Sequence, residues 1–243
     1  ADITHPLDPT IIPPKIDTIY FTAAASQRTP EAYNACYVNG IKNLTTSIRS
    51  SSHVQRLFFV SSTSVYSQTE GEWVTEDSQT HPTHFTGQHM LAAEAIVSNS
   101  KWLSTCVRFG GIYGPNRTHL VNQVIEERAL LKPPASNGLP FYTNRIHRDD
   151  CIGVLTHLLN IRKPPRILNG TDNEPAPYNQ VIQWIANEAR VPPPTGLQTT
   201  YTNTNKRCSN QRLTALGYSL QYPGFRHGYR PIIKDAINNK WMK

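Results

Sequence analysis

Short apolar runs alternate with helical patterns along most of the chain, and this alternation limits the fold more than any other feature. Strand-like runs lie at 17–21, 56–60, 103–109 and 166–168. Helical patterns fall at 30–48, 85–97, 120–131, 149–159, 178–189 and 210–216. Thr29 suits the N-cap of the first helix, with Pro30 at its first position, and Gly217 closes the last. Such alternation predicts an α/β fold, a doubly wound parallel sheet with helices on both faces. Two stretches break the rhythm. One is 119–143, a helix followed by Pro- and Gly-rich residues, and the other is 172–243, Pro-interrupted and read as loop-rich. The expected division is a sheet domain of 1–118 and 144–171, with 119–143 and 172–243 forming a smaller lobe.

The formal net charge is +7, but Lys and Arg are scattered and no nucleic-acid-binding motif occurs, so no nucleic-acid partner is expected. No apolar run is long enough to span a membrane. Residues 1–6 have neither the basic nor the apolar region of a signal peptide. Cysteines 36, 106, 151 and 208 have no metal-ligand spacing, so no metal is expected. Buried free thiols in a reducing, cytoplasmic setting are expected instead.

The segment Phe58-Phe59-Val60-Ser61-Ser62-Thr63-Ser64-Val65-Tyr66 is an apolar strand that opens into hydroxyl residues. Parallel α/β sheets bind ligands at the carboxyl ends of their strands, so this tip is the leading candidate site. Ser62 is either a hydrogen-bond donor to substrate or a strand-end hydroxyl satisfying local backbone.

Five segments, in order, resemble the extended short-chain dehydrogenase/reductases, the NAD-dependent epimerase/dehydratase branch. They are Asp17–Ala25, Tyr37–Leu44 (similar to Asn-Val-x-Gly-Thr-x-Asn-Leu), Ser61–Tyr66, Arg108–Pro115 (similar to Arg-x-x-Asn-x-Tyr-Gly-Pro) and Arg145–Asp150. The resemblance implies a Rossmann-type sheet and NAD or NADP as cofactor. It implies epimerase, dehydratase or reductase chemistry on a sugar-derived or carbonyl substrate, with a homodimer possible. Ser62 falls where the family's catalytic Ser/Thr sits. Cofactor contacts are implied for Asp2, Ile3, Ala23, Ala24, Ala25, Val60, Ser61, Arg108, Gly110, Gly111 and Ile112, and substrate contacts for Thr63, Tyr66, Tyr113 and Arg145. Gly111 stands where many relatives carry a substrate-touching Asn.

Two departures qualify the resemblance. No Gly-rich turn joins a strand to a helix, the first glycine being Gly40 within a helical pattern. The expectation is a chain that starts after that motif, lacking the first βαβα portion. Secondly, the family's Tyr and Lys at i and i+4 are missing, since 74–100 holds neither residue. His84, with Gln88 at i+4, and His89 are the candidate replacements, or else simple helix-start and helix-face residues. A non-catalytic relative that senses a dinucleotide or binds a protein is therefore the alternative. Among other charged residues, Arg108 either contacts an anion or pairs with Asp149 or Asp150. Asp149 is expected to cap the following helix, Arg145 and His147 to face a phosphate or form a surface pair, and Lys206-Arg207 to be exposed.

Overall fold

The computed structural model describes residues 1–49, 53–199 and 204–241. In chain order the elements are β1 (Thr18–Phe21), α1 (Pro30–Tyr33), a π-helix (Asn34–Asn39), α2 (Gly40–Arg49), β2 (Arg56–Ser62), β3 (Glu72–Val74), α3 (Phe85–Ser98), β4 (Leu103–Phe109) and β5 (Gly111–Tyr113). Then come α4 (His119–Ile125), β6 (Tyr142–Thr143), β7 (Arg145–His147), α5 (Arg148–Leu159), β8 (Ile167–Gly170), β9 (Ala176–Pro177), α6 (Tyr178–Ala189), β10 (Lys206–Cys208), α7 (Gln211–Ala215) and α8 (Phe225–Trp241). Contacts divide the chain into two compact units.

Unit 1 comprises Ala1–Ser67, Glu76–Arg108 and His157–Asn169. Its sheet has the order β1-β2-β4-β8, with helical crossovers between successive strands, which is the expected parallel, Rossmann-type arrangement. β1 and β2 pair in parallel, Tyr20 opposite Phe58 and Phe21 opposite Phe59, and both ring pairs are in contact. Leu57, Phe58 and Phe59 are all fully buried, as a strand covered on both faces requires. The first helix starts as its sequence predicts: Thr29 Oγ1 accepts from the Ala32 amide, with Pro30 at the first position. It then widens into the π-helix before resuming as α2. At Gly40 the chain approaches closely, and a Cβ there would lie 3.2 Å from Ile3. Asn43 Nδ2 donates to the Ile3 carbonyl at 3.0 Å, pinning the first residues onto α2.

Unit 2 comprises Gln68–Thr75, Phe109–Thr156 and Gly170–Lys243. It holds three two-stranded ladders, β3–β10, β5–β7 and β6–β9. Its apolar core is made by α4, α6 and α8: Val121 and Val124, Ile182 and Ile185, Phe225 and Ile233. The helices expected at 178–189 and 210–216 form as α6 and α7, and the reading of 172–243 as loop-rich is corrected by the 17-residue α8, which no sequence pattern marked. Pro231 lies inside α8, costing one backbone hydrogen bond, and the apolar contacts of Phe225, Ile232 and Ile233 hold the helix through it. The helix expected to reach residue 131 stops at Ile125, and Glu127 turns the chain with φ 57°. All four cysteines are free and buried. Among the described residues no helix is long and apolar enough to cross a membrane.

Candidate functional site

The tip of β2 ends as a capped turn. Ser62 Oγ accepts from the Ser64 amide at 3.1 Å, closing a 3₁₀ turn at Thr63–Val65. Ser62 is half-buried, and its own O–H has no acceptor among the described residues. One of the two readings of Ser62, the local backbone acceptor, is thus realised, while its proton stays free to donate. Ala23, Ala24 and Ala25 follow β1 as a partly exposed run of methyl groups, and Val60 is half-buried at the end of β2. Asp2 is exposed, and its Oδ1 accepts from both the amide and the hydroxyl of Thr4. The amide bond leads the causes that hold its carboxyl below the usual range.

Beneath the tip runs a buried polar chain. Ser61 Oγ donates to Glu94 Oε1 at 2.5 Å. Arg108 meets the same carboxylate bidentately, Nη2 to Oε2 at 2.7 Å and Nε to Oε1 at 3.0 Å. Arg108 Nη1 donates to the Tyr66 hydroxyl at 2.9 Å, and that hydroxyl donates to Asn169 Oδ1 at 2.8 Å. Burial opposes the Arg108 charge, but Glu94 and Tyr66 outweigh it and hold the guanidinium above its ordinary value. The pairing of Arg108 with Asp149 or Asp150 is corrected: its partner is Glu94 of α3. Ser61 and Arg108, expected at the cofactor, have their polar groups engaged in this chain. Tyr66, expected at the substrate, is fully buried with its hydroxyl spent on two internal bonds, and Thr63 is also buried.

α3 presses against the tip at Gly87, where a Cβ would collide with the Ser64 carbonyl oxygen. The inward-facing i,i+4 pair at its start is Thr86 and Met90, both buried, a hydroxyl and a thioether. His84 is the N-cap of α3, its Nδ1 accepting from the Thr86 amide at 3.3 Å and lying 2.9 Å from Thr86 Oγ1. His84 itself is exposed, and His89 is half-buried along the helix.

In unit 2, Gly110 and Ile112 are half-buried and Gly111 is exposed. Tyr113 is buried, its hydroxyl without a hydrogen-bond partner among the described residues. Burial, with Asp172 adding to it, raises the Tyr113 phenol. Asp172 Oδ1 accepts from the Glu174 amide, while Oδ2 is buried and unpartnered among the described residues, and burial pushes this carboxyl up to about 7. Arg145 and His147 are 4% and 2% exposed, so they are not a surface pair. Arg145 lies 5.9 Å over the Phe225 ring. The cap expected of Asp149 belongs to His147, whose Nδ1 accepts from the Asp149 amide. Lys206 is likewise buried rather than exposed, and Arg207 stacks between Trp73 and Tyr142.

A family model described as the NAD dependent epimerase/dehydratase family matches residues 4–160. The chain belongs to the NAD-dependent epimerase/dehydratase family. A solved structure of a protein described as an NAD-dependent epimerase/dehydratase, from Methylobacillus flagellatus, is 33% identical, with TM-score 0.69 over 88% of this chain and 74% of that one. UDP-glucuronic acid 4-epimerase from Bacillus cereus, solved with NAD, shares the fold at TM-score 0.79 over 98% of this chain and 80% of that one, at 18% identity. A curated relative, 3-diazoavenalumate denitrifying reductase from Streptomyces, is 29% identical over 149 residues, 56% of this chain. The match spans about half of that reductase's length, 49%.

Glu94 and Asn169 were not among the residues singled out from sequence. Glu94 carried a signal, since it lies between Met90, Ala93 and Val97 on an otherwise apolar buried face. A lone carboxylate there needs an internal cation, and Arg108, set within an apolar strand, is the complementary oddity.

Proposed function

We propose that the protein binds NAD(P)(H) along the tips of β1 and β2 and acts as an epimerase-, dehydratase- or reductase-type enzyme on a carbonyl or sugar-derived substrate. The observation that carries this reading is the Ser62 hydroxyl, fixed by its bond from the Ser64 amide and still free to donate, at the carboxyl end of a parallel strand. The surfaces present fit a flat cofactor, since Ala23–Ala25 offer small, partly exposed side chains and Val60 offers an apolar edge. Asp2 and Ile3, held on α2 through Asn43, would meet the adenosine end. The bound nicotinamide would supply the hydride acceptor or donor. Ser62 then donates a hydrogen bond to the substrate oxygen, orienting the carbon that gains or loses hydride. With Thr86 and Met90 at the inward face of α3, the proton must be exchanged by another group, and exposed His84 is the nearest titratable side chain to that helix start.

Calorimetric titration of the intact protein with NADH and NADPH tests the cofactor step, and no heat at millimolar cofactor overturns it. Ser62→Ala is expected to leave cofactor affinity unchanged and to lower turnover on a panel of carbonyl compounds by about 10²-fold. The second reading, a dinucleotide sensor, is favoured by the Thr86/Met90 pair. It predicts cofactor binding with no change in nicotinamide absorbance for any substrate in the panel.

A further inference from the structure

Unit 2 holds a recess of about 720 Å³ bounded by α4, α8 and the junction of β7 with α5. His147 lines its inner end although it is only 2% exposed. Because His147 Nδ1 accepts from the Asp149 amide, the ring proton lies on Nε2, which has no hydrogen bond among the described residues. Burial, the leading influence, lowers the imidazole's pKa and keeps it neutral. Tyr222 stacks on this ring at 3.7 Å, so the inner wall is aromatic and carries one N–H donor. Ile125, Pro231 and Ile232 supply an apolar flank.

The charge of the lining is opposite to that of the chain. The protein carries 24 Lys and Arg against 17 Asp and Glu. The recess has two carboxylates, Glu126 and Asp235, and no Lys or Arg. Glu126 is paired with Arg128, whereas Asp235 has no ion pair among the described residues. An anionic ligand meets two carboxylates here and no Lys or Arg. A ligand with an oxygen acceptor at one end and a positive charge at the other meets a complement at both ends.

We propose that this recess is a second ligand site, for a small organic amine. Its apolar body rests on Ile125 and Ile232, an oxygen accepts from His147 Nε2, and its ammonium group lies at Asp235. Its lining residues all belong to unit 2 and none belongs to the β1–β2 tips, so the proposal stands whether or not the chain turns over a carbonyl substrate.

Calorimetry with tyramine, with tyrosol (the same body bearing a neutral hydroxyl) and with 4-hydroxyphenylacetate tests it on the intact chain. Tyramine should bind about fivefold more tightly than tyrosol, and the acid should not bind, as expected of one exposed ion pair. Asp235→Asn should erase the difference between tyramine and tyrosol. Asn122→Trp, which fills the recess from α4, should abolish binding of both, with thermal melting showing that each variant folds. Equal affinity for all three probes, no binding at millimolar tyramine, or unchanged tyramine binding in both variants overturns the proposal.

Discussion

Two buried polar clusters, one in each unit, are handled in opposite ways. In unit 1, Ser61, Glu94, Arg108, Tyr66 and Asn169 satisfy one another in an unbroken chain. In unit 2, the Tyr113 hydroxyl and Asp172 Oδ2 are both buried without partners among the described residues. Charge survives burial where a geometric partner meets it, and is suppressed where none does. The strand tip that presents Ser62 is therefore built on a charge-paired base, whereas unit 2 contains a carboxyl pushed up to about 7 by burial.

The sharpest way to break this contrast is Glu94→Ala. It strands the Arg108 guanidinium in the interior and should cost about 3–5 kcal/mol, read from the denaturant midpoint. Replacing both partners by apolar residues, Glu94→Leu with Arg108→Met, should cost less than the single change. If the two cost the same, the pair is not a coupled unit. Next in size is Asp172→Asn. In the folded state the Asp172 carboxyl titrates at about 7, above its ordinary 3.8, so the folded protein keeps a proton that the unfolded chain releases. Its contribution is fully present below pH ~4 and is lost as pH rises to about 7. Asp172→Asn should therefore flatten the pH dependence of stability between those limits by about 2–4 kcal/mol, and parallel curves for the two proteins would refute this.

Tyr66→Phe removes the hydroxyl that joins Arg108 to Asn169 and should cost about 1–3 kcal/mol in thermal or chemical unfolding. A neutral result would show that the chain is satisfied by other groups. The smallest effect is expected for His84→Ala, which deletes the α3 N-cap, at about 1 kcal/mol. A loss of turnover far beyond what that destabilisation explains would instead give His84 a part in proton exchange.

The sheet was legible because its strands are apolar runs of four to seven residues between recognisable helix starts, Thr29-Pro30 being the clearest. The strands of two or three residues in unit 2 carry no period to detect, and their pairing is set by tertiary contact. α8 was hidden by Pro231, which reads locally as a helix breaker although its neighbours bury enough apolar surface to override it. Ser62 could be found from the strand-to-hydroxyl transition. The roles of Tyr66 and Arg108 could not, because the same residue types that would line a cleft also close an internal network, and only the position of Glu94 distinguishes the two.

The π-helix at Asn34–Asn39 fixes the angular phase of everything after it. One extra residue per turn rotates the following helix by about 100° relative to an unbroken α-helix. Ile41, Leu44 and Ile48 are buried in that shifted phase, as is Gly40 where it admits Ile3. Deleting a single residue within the wide turn would swing those apolar side chains toward water and carry Lys42 inward, a far harsher change than any substitution in the same segment.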